Sequence, residues 1–169
     1  SNNETASRGG GLYLTTTTAT LERVEVEGNV SGDTGGGIRV NGGALTLVDV
    51  EVYVNQADYG GGLSIDGAAV TCQGGSVTSN DATMRGGGVV VDAGSTLTDC
   101  SLESNTATSG GGLYVLGDGN VLDGLTVIYN SAVEAGGGGI AFGTVTGTSL
   151  SITNNDAGWG GGLYLGNDP

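Results

Sequence analysis

The stretch Val52-Tyr53-Val54-Asn55-Gln56-Ala57-Asp58-Tyr59-Gly60-Gly61-Gly62-Leu63-Ser64-Ile65 decides how this chain is read. It returns as Leu102-Glu103-Ser104-Asn105-Thr106-Ala107-Thr108-Ser109-Gly110-Gly111-Gly112-Leu113-Tyr114-Val115. Triple-glycine blocks begin at Gly9, Gly35, Gly60, Gly86, Gly110, Gly137 and Gly160. An asparagine keeps step with them at Asn3, Asn29, Asn55, Asn80, Asn105, Asn130 and Asn155. The interval is about 25 residues, and a fixed period of that size is the signature of a repeat architecture. The 37 glycines among 169 residues would otherwise suggest a disordered chain; their periodicity excludes that reading.

Apolar residues fill columns between the markers. After the glycines stand Leu12, Ile38, Leu63, Val89, Leu113, Ile140 and Leu163, and two places on Leu14, Val40, Ile65, Val91, Val115, Phe142 and Leu165. Three residues before the asparagines stand Val26, Val52, Val77, Leu102, Val127 and Ile152. The local period of two predicts strands with one face inward. Each unit of 25 residues is too short for a propeller blade. It predicts an all-β, right-handed parallel β-helix with three short strands per turn. The chain is read as one domain over residues 1–169, with about 6.7 turns and a length of roughly 32 Å at the inter-strand spacing.

The markers have physical reasons. An amide side chain both donates and accepts, so Asn29, Asn55, Asn80, Asn105, Asn130 and Asn155 are expected to form a stacked hydrogen-bonded ladder. Asparagine also tolerates the left-handed backbone of a sharp corner, and glycine lets chains pack closely there. The segment between asparagine and glycines varies from five to seven residues and reads as the loop.

Composition narrows the function. The chain carries 18 acidic residues, 4 arginines, no lysine and no histidine, for a net charge of −14. That excludes an electrostatic nucleic-acid binder and a polybasic membrane-surface segment. No apolar run reaches the roughly 20 residues of a membrane-spanning helix. Without histidine or lysine, histidine-dependent nucleophile, metal and Schiff-base mechanisms are excluded.

The pairing of Val52-Tyr53-Val54-Asn55-Gln56-Ala57 with Gly60-Gly61-Gly62-Leu63 resembles the repeats of chlamydial polymorphic outer-membrane proteins and related bacterial right-handed parallel β-helix surface proteins. The resemblance covers essentially the whole chain; where that family usually has phenylalanine three residues before the asparagine, this chain has aliphatic residues. It implies a cell-surface or secreted passenger domain, often adhesive, and carries over no catalytic residue.

Candidate chemistry is sparse. Cys72 and Cys100 fall in inward columns three residues apart on neighbouring turns, so core packing is expected over a disulfide, which needs Cα atoms within about 7 Å. On the outward face of the strand after the glycines, Arg39 and Asn41 neighbour Ser64 and Asp66, with Asp92 one turn further on. Some β-helix polysaccharide lyases use an arginine base with aspartate-bound calcium, so Asp66 and Asp92 are the candidate calcium ligands. Turn chemistry at Asp66-Gly67 and Asp92-Ala93-Gly94 accounts for the same residues. Tyr13, Tyr114 and Tyr164 share one outward column without stacking on adjacent turns, and Tyr59 and Trp159 precede glycine blocks; a sugar or partner contact is one reading, loop packing the other.

The expected function is an extracellular or cell-surface structural rod, adhesive or self-assembling, and not an enzyme. A polysaccharide lyase-like enzyme and a calcium-stabilised scaffold are the alternatives. No cofactor is required, and calcium is the one the sequence suggests. Neither end reads as a polar cap, which predicts a piece of a longer rod or head-to-tail stacking of copies, with surface ligands as the other partners.

Overall fold

The computed structural model describes residues 2–166; the expectations resting on Ser1 and on Asn167-Asp168-Pro169 lie outside them. Among the described residues there is no helix, and every strand pairing is parallel. Strands recur about 25 residues apart, so each turn of the chain lies on the one before. A seven-stranded sheet takes one strand from every turn, and a second, larger sheet holds the other faces. The protein is a parallel β-solenoid of about seven turns, as its period requires.

The alternation of side chains explains the core. Ile38, Leu63 and Val89 follow the glycine blocks and are fully buried, as are Ile65 and Val91 two residues on. Val52, Val77 and Leu102 belong to the same buried core. No single turn can bury these faces alone; stacking encloses them, at about 1.5–3 kcal/mol for each large aliphatic side chain.

Each later turn has four strand segments, not three. In one turn they are Val89–Val91, Thr96–Thr98, Ser101–Glu103 and Thr106–Ser109. In the second and third turns the first three run together as Ile38–Tyr53 and Leu63–Thr78. The fourth segment is the stretch expected to be a loop. Instead it builds the seven-stranded sheet, as in Gln56–Tyr59, Asp81–Arg85 and Ser131–Ala135. Its variable length is absorbed inside the strand: Ala57 pairs with Ala82, but Tyr59 pairs with Arg85. A bulge accommodates an extra residue without ending a sheet.

The asparagine ladder forms as expected. The Oδ1 of Asn80 accepts from both the backbone N–H and the Nδ2 of Asn55, each at 3.0 Å. Asn80 makes the same pair of bonds to Asn105 at 3.0 and 3.1 Å, and Asn105 to Asn130 at 2.9 Å twice. The second Nδ2 hydrogen of Asn80 goes to the carbonyl of Val52 at 2.9 Å. Asn29 and Asn155 belong to the same ladder. Asn55, Asn80, Asn105 and Asn130 are at most 1% exposed, and each meets the requirement that a buried amide be satisfied.

The left-handed corner belongs to the preceding residue, not to the asparagine. Gly28, Val54, Ser79, Ser104, Tyr129 and Asn154 have φ between 54° and 66°. The asparagine side chain can then point inward while its predecessor turns the chain. The third glycine of each block serves the ladder directly. A Cβ at Gly62 would lie 2.9 Å from Asn80 Nδ2, and one at Gly112 2.8 Å from Asn130 Nδ2. Asparagine and glycine repeat together because one occupies the space the other leaves.

Two register changes alter the expected columns. Thr71 pairs with Thr98, and Val77 with Leu102. The corner between them is six steps long in the third turn (77 − 71) and four in the fourth (102 − 98). Leu97 therefore lies against Val70 rather than Cys72. The same slip brings Cys100 beside Cys72, with Cα atoms 4.9 Å apart and a disulfide between them. The expectation of two unlinked core cysteines is thus corrected. The bond ties neighbouring turns across 28 residues of chain.

The second change is in the sixth turn. Four glycines stand in a row there, and Gly136–Gly138, not Gly137–Gly139, match the other blocks: Gly111 donates to the Gly136 carbonyl and Leu113 pairs with Gly139. Ile140 and Phe142, expected in the inward columns, consequently face out, and Ala141 is buried in the core in their place. A one-residue slip in a strand turns every side chain to the opposite face.

Candidate functional site

Groove and outer columns. The first glycine of each block has φ between 57° and 67°, and the corner it makes carries no side chains. Side-chain columns flank this strip on both sides, and in the later turns the surface between them is recessed. One bank is the column Tyr59, Arg85, Ser109, Ala135 and Trp159, in register turn by turn. The other is Tyr13, Arg39, Ser64, Val90, Tyr114, Ile140 and Tyr164.

The early part of the second bank is polar. Arg39 is only 9% exposed and donates from Nη1 to Ser64 Oγ at 2.5 Å and from Nη2 to Asp66 Oδ2 at 2.9 Å. Arg39, Ser64 and Asp66 thus meet as expected. The neighbouring Asn41 holds the Tyr13 phenol below its usual pKa by hydrogen bonding, aided by Arg8 and by the Arg39 charge. Asp92 accepts at 2.8 Å from the Ala93 N–H within its own turn. Among the described residues no three acidic or cysteine side chains converge as a metal-binding group.

The later part is apolar. Val90, Tyr114 and Ile140 form a second cluster outside the main core, with Tyr59, Leu116, Ala135 and Phe142 packed against it. Phe142 sits 5.6 Å from Tyr114 and 6.3 Å from Tyr164, ring centre to ring centre, in tilted and edge-on contacts within the favourable range for aromatic pairs. Tyr114 and Tyr164 do not stack on adjacent turns, as expected, but Phe142 bridges them. The signal was present in the sequence: counting from Gly136 makes the interval from Asn130 six residues, like those from Asn3, Asn29 and Asn80.

Arg85 completes the packed section by placing its guanidinium over the Tyr114 ring, 5.0 Å from its centre. Beyond it the strip opens. A cleft of about 530 Å³ runs past Arg85, Tyr114, Phe142 and Tyr164, and a second of about 670 Å³ is lined by Val133, Glu134, Ala135, Gly158, Trp159 and Tyr164. Trp159 is 71% exposed and lines the second cleft, whose one carboxylate is Glu134.

The acidic surface is organised by the same period. Ser76 donates to Glu51, Thr106 to Asp81, Thr148 to Asp123 and Ser109 to Glu134, each across 25 residues. Charge-assisted bonds of this kind hold carboxylates that would otherwise repel one another.

The fold defines a class, the parallel β-solenoids, with an outer corner groove as its candidate binding surface. Comparison of the chain with protein-family models, curated proteins and solved structures finds no match. What stands of the likeness to chlamydial surface repeats is the stacked parallel β-architecture.

Proposed function

We propose that this chain is part of an extracellular structural rod that presents its outer groove for adhesion. The observation carrying the reading is the division of labour within each turn. The inward ladder repeats the same side chain from Asn3 to Asn155, while the outward columns change from Arg39 to Tyr164. Repetition inside makes a stiff support, and variation outside makes a surface that differs along its length.

The Cys72–Cys100 disulfide supports an oxidising compartment, since such bonds persist mainly in secreted and surface proteins. The engagement of Arg39 by Ser64 and Asp66 supports a structural arginine over a lyase base. Surface ligands are the main partners of this reading, and copies of the chain a second class.

Beads coated with the protein are expected to bind cells or extracellular matrix above albumin-coated beads. Release of new chain ends from acidic polysaccharides would overturn the scaffold reading in favour of an enzyme. A protein that stays monomeric by light scattering at high concentration, without fibres in electron micrographs, would remove self-assembly.

A further inference from the structure

We infer that the cleft between Trp159, Tyr164 and Glu134 receives a cationic side chain, arginine or lysine, from a basic partner protein. The inference deepens the adhesive reading by giving the partner a chemistry, and it rests on that reading only for its biological setting. It is drawn from a relation inside the groove itself. Tyr114 and Tyr164 occupy the same column two turns apart. At Tyr114, the residue one turn earlier on the facing bank is Arg85, whose guanidinium lies over the ring. At Tyr164, the residue in that relative position is Ala135. The ring recurs and its cation does not.

The surroundings at Ala135 suit a cation from outside. Trp159, the best aromatic partner for a cation, follows Ala135 on the same bank and lines the cleft with Tyr164. Glu134 adds a carboxylate on the same lining, and Ser109 donates to one of its oxygens at 3.2 Å. Gly158, on the same lining, packs tightly on the neighbouring chain: a Cβ there would lie 2.9 Å from the Glu134 carbonyl. The whole chain, with 18 acids against 4 arginines, attracts a basic partner through its long-range field. A neutral sugar could stack on the same rings and donate a hydroxyl to Glu134, but it would gain nothing from that long-range field.

Trp159 is the single tryptophan of the chain, so its fluorescence reports on this cleft. The intact protein is titrated with a short arginine-rich peptide, the same peptide with glutamine for arginine, a lysine-rich peptide, and a neutral oligosaccharide. The expected result is a saturable change with the basic peptides and none with the glutamine peptide. Glu134→Gln should weaken the basic peptides at least tenfold, and Ala135→Arg, which supplies the missing cation from within, should abolish the response. Thermal unfolding of each variant shows that it is folded. Saturation by the oligosaccharide alone, equal binding of the glutamine peptide, or full binding by both variants would each overturn the inference. Beads that bind cells while basic peptides leave Trp159 unchanged would refute this site and keep adhesion. Peptide binding without cell binding would do the reverse.

Discussion

At the asparagine corner, successive turns present the same amide to the same neighbours, with bond lengths near 3 Å from Asn29 to Asn155. At the glycine corner the backbone repeats as faithfully, but the side chains beside it run from buried Arg39 to exposed Trp159. The difference follows from what a neighbour demands. A buried amide that loses its partner costs about 1–3 kcal/mol for each unsatisfied group, so no turn can change alone. A side chain facing water asks little of the next turn, so the groove is where one turn can differ from another.

The sharpest way to break this contrast is to cut the ladder. In Asn80→Ala the backbone N–H and Nδ2 of buried Asn55 lose their shared acceptor, and Val52 and Asn105 lose a donor. The expected loss is roughly 2–6 kcal/mol, from two orphaned donors at about 1–3 kcal/mol each. Trp159→Ala on the exposed bank should stay within about 0.5 kcal/mol of the parent. Urea unfolding of the two variants makes the comparison; equal losses would mean that the interior is no more constrained than the groove.

How much of this was legible in the sequence follows the same division. The period, the strands, the ladder and most inward columns could be read because stacking forces each turn to copy its neighbour. The strand from Gln56 to Tyr59 was mistaken for a loop because a bulge lets its length vary while its pairing continues. The disulfide was missed because the corner before Cys100 is two residues shorter than the one after Cys72, and a column count assumes equal corners. The aromatic groove was hidden by the four glycines Gly136–Gly139: the six-residue interval from Asn130 to Gly136 favours the first three as the corner, and the pairing of Leu113 with Gly139 decides it. Arg39, Ser64 and Asp66 were found because their register is unbroken across two turns. Local copying can be read; changes of length between copies are decided by packing.

The covalent staple tests a second part of the interior. Closing 28 residues of chain between Cys72 and Cys100 should stabilise the fold by roughly 3–4 kcal/mol, by restricting the unfolded chain. Reduction, or the double variant Cys72→Ala/Cys100→Ala, should lower the urea midpoint accordingly. No change on reduction would show that the ladder and core already hold these two turns together.

A smaller effect lies where the two regions meet. Val54 turns the asparagine corner at φ 56° with its side chain 57% exposed. A β-branched residue is disfavoured there, whereas the last turn uses Asn154 at the same φ of 56°. Val54→Asn should therefore stabilise the protein by about 1 kcal/mol, the scale of the left-handed penalty. Thermal unfolding checks it, and a lower melting temperature would mean that Val54 makes contacts on the outside that matter more than its backbone.

The smallest expected effect belongs to the outward column of Tyr53. Its phenol is pushed up to about 12, first by a hydrogen bond to Glu27, then by partial desolvation and by the charges of Glu25 and Glu27. Its hydroxyl also donates to Glu25 at 3.4 Å. The neutral phenol can donate to these carboxylates; the phenolate would join them as another negative charge. Because the folded value lies above the ordinary 10.0, the protonated group favours the fold fully below pH 10, and that contribution fades as pH rises towards 12. An absorbance titration of the six tyrosines should show a last ionisation near pH 12 that disappears in Tyr53→Phe and moves down in high salt, which screens exposed charges. If all the phenols ionise near pH 10, Tyr53 and its glutamates act independently across the turns. The turn-to-turn links of the outer face would then lie elsewhere, as in the bonds of Arg39 to Ser64 and Asp66.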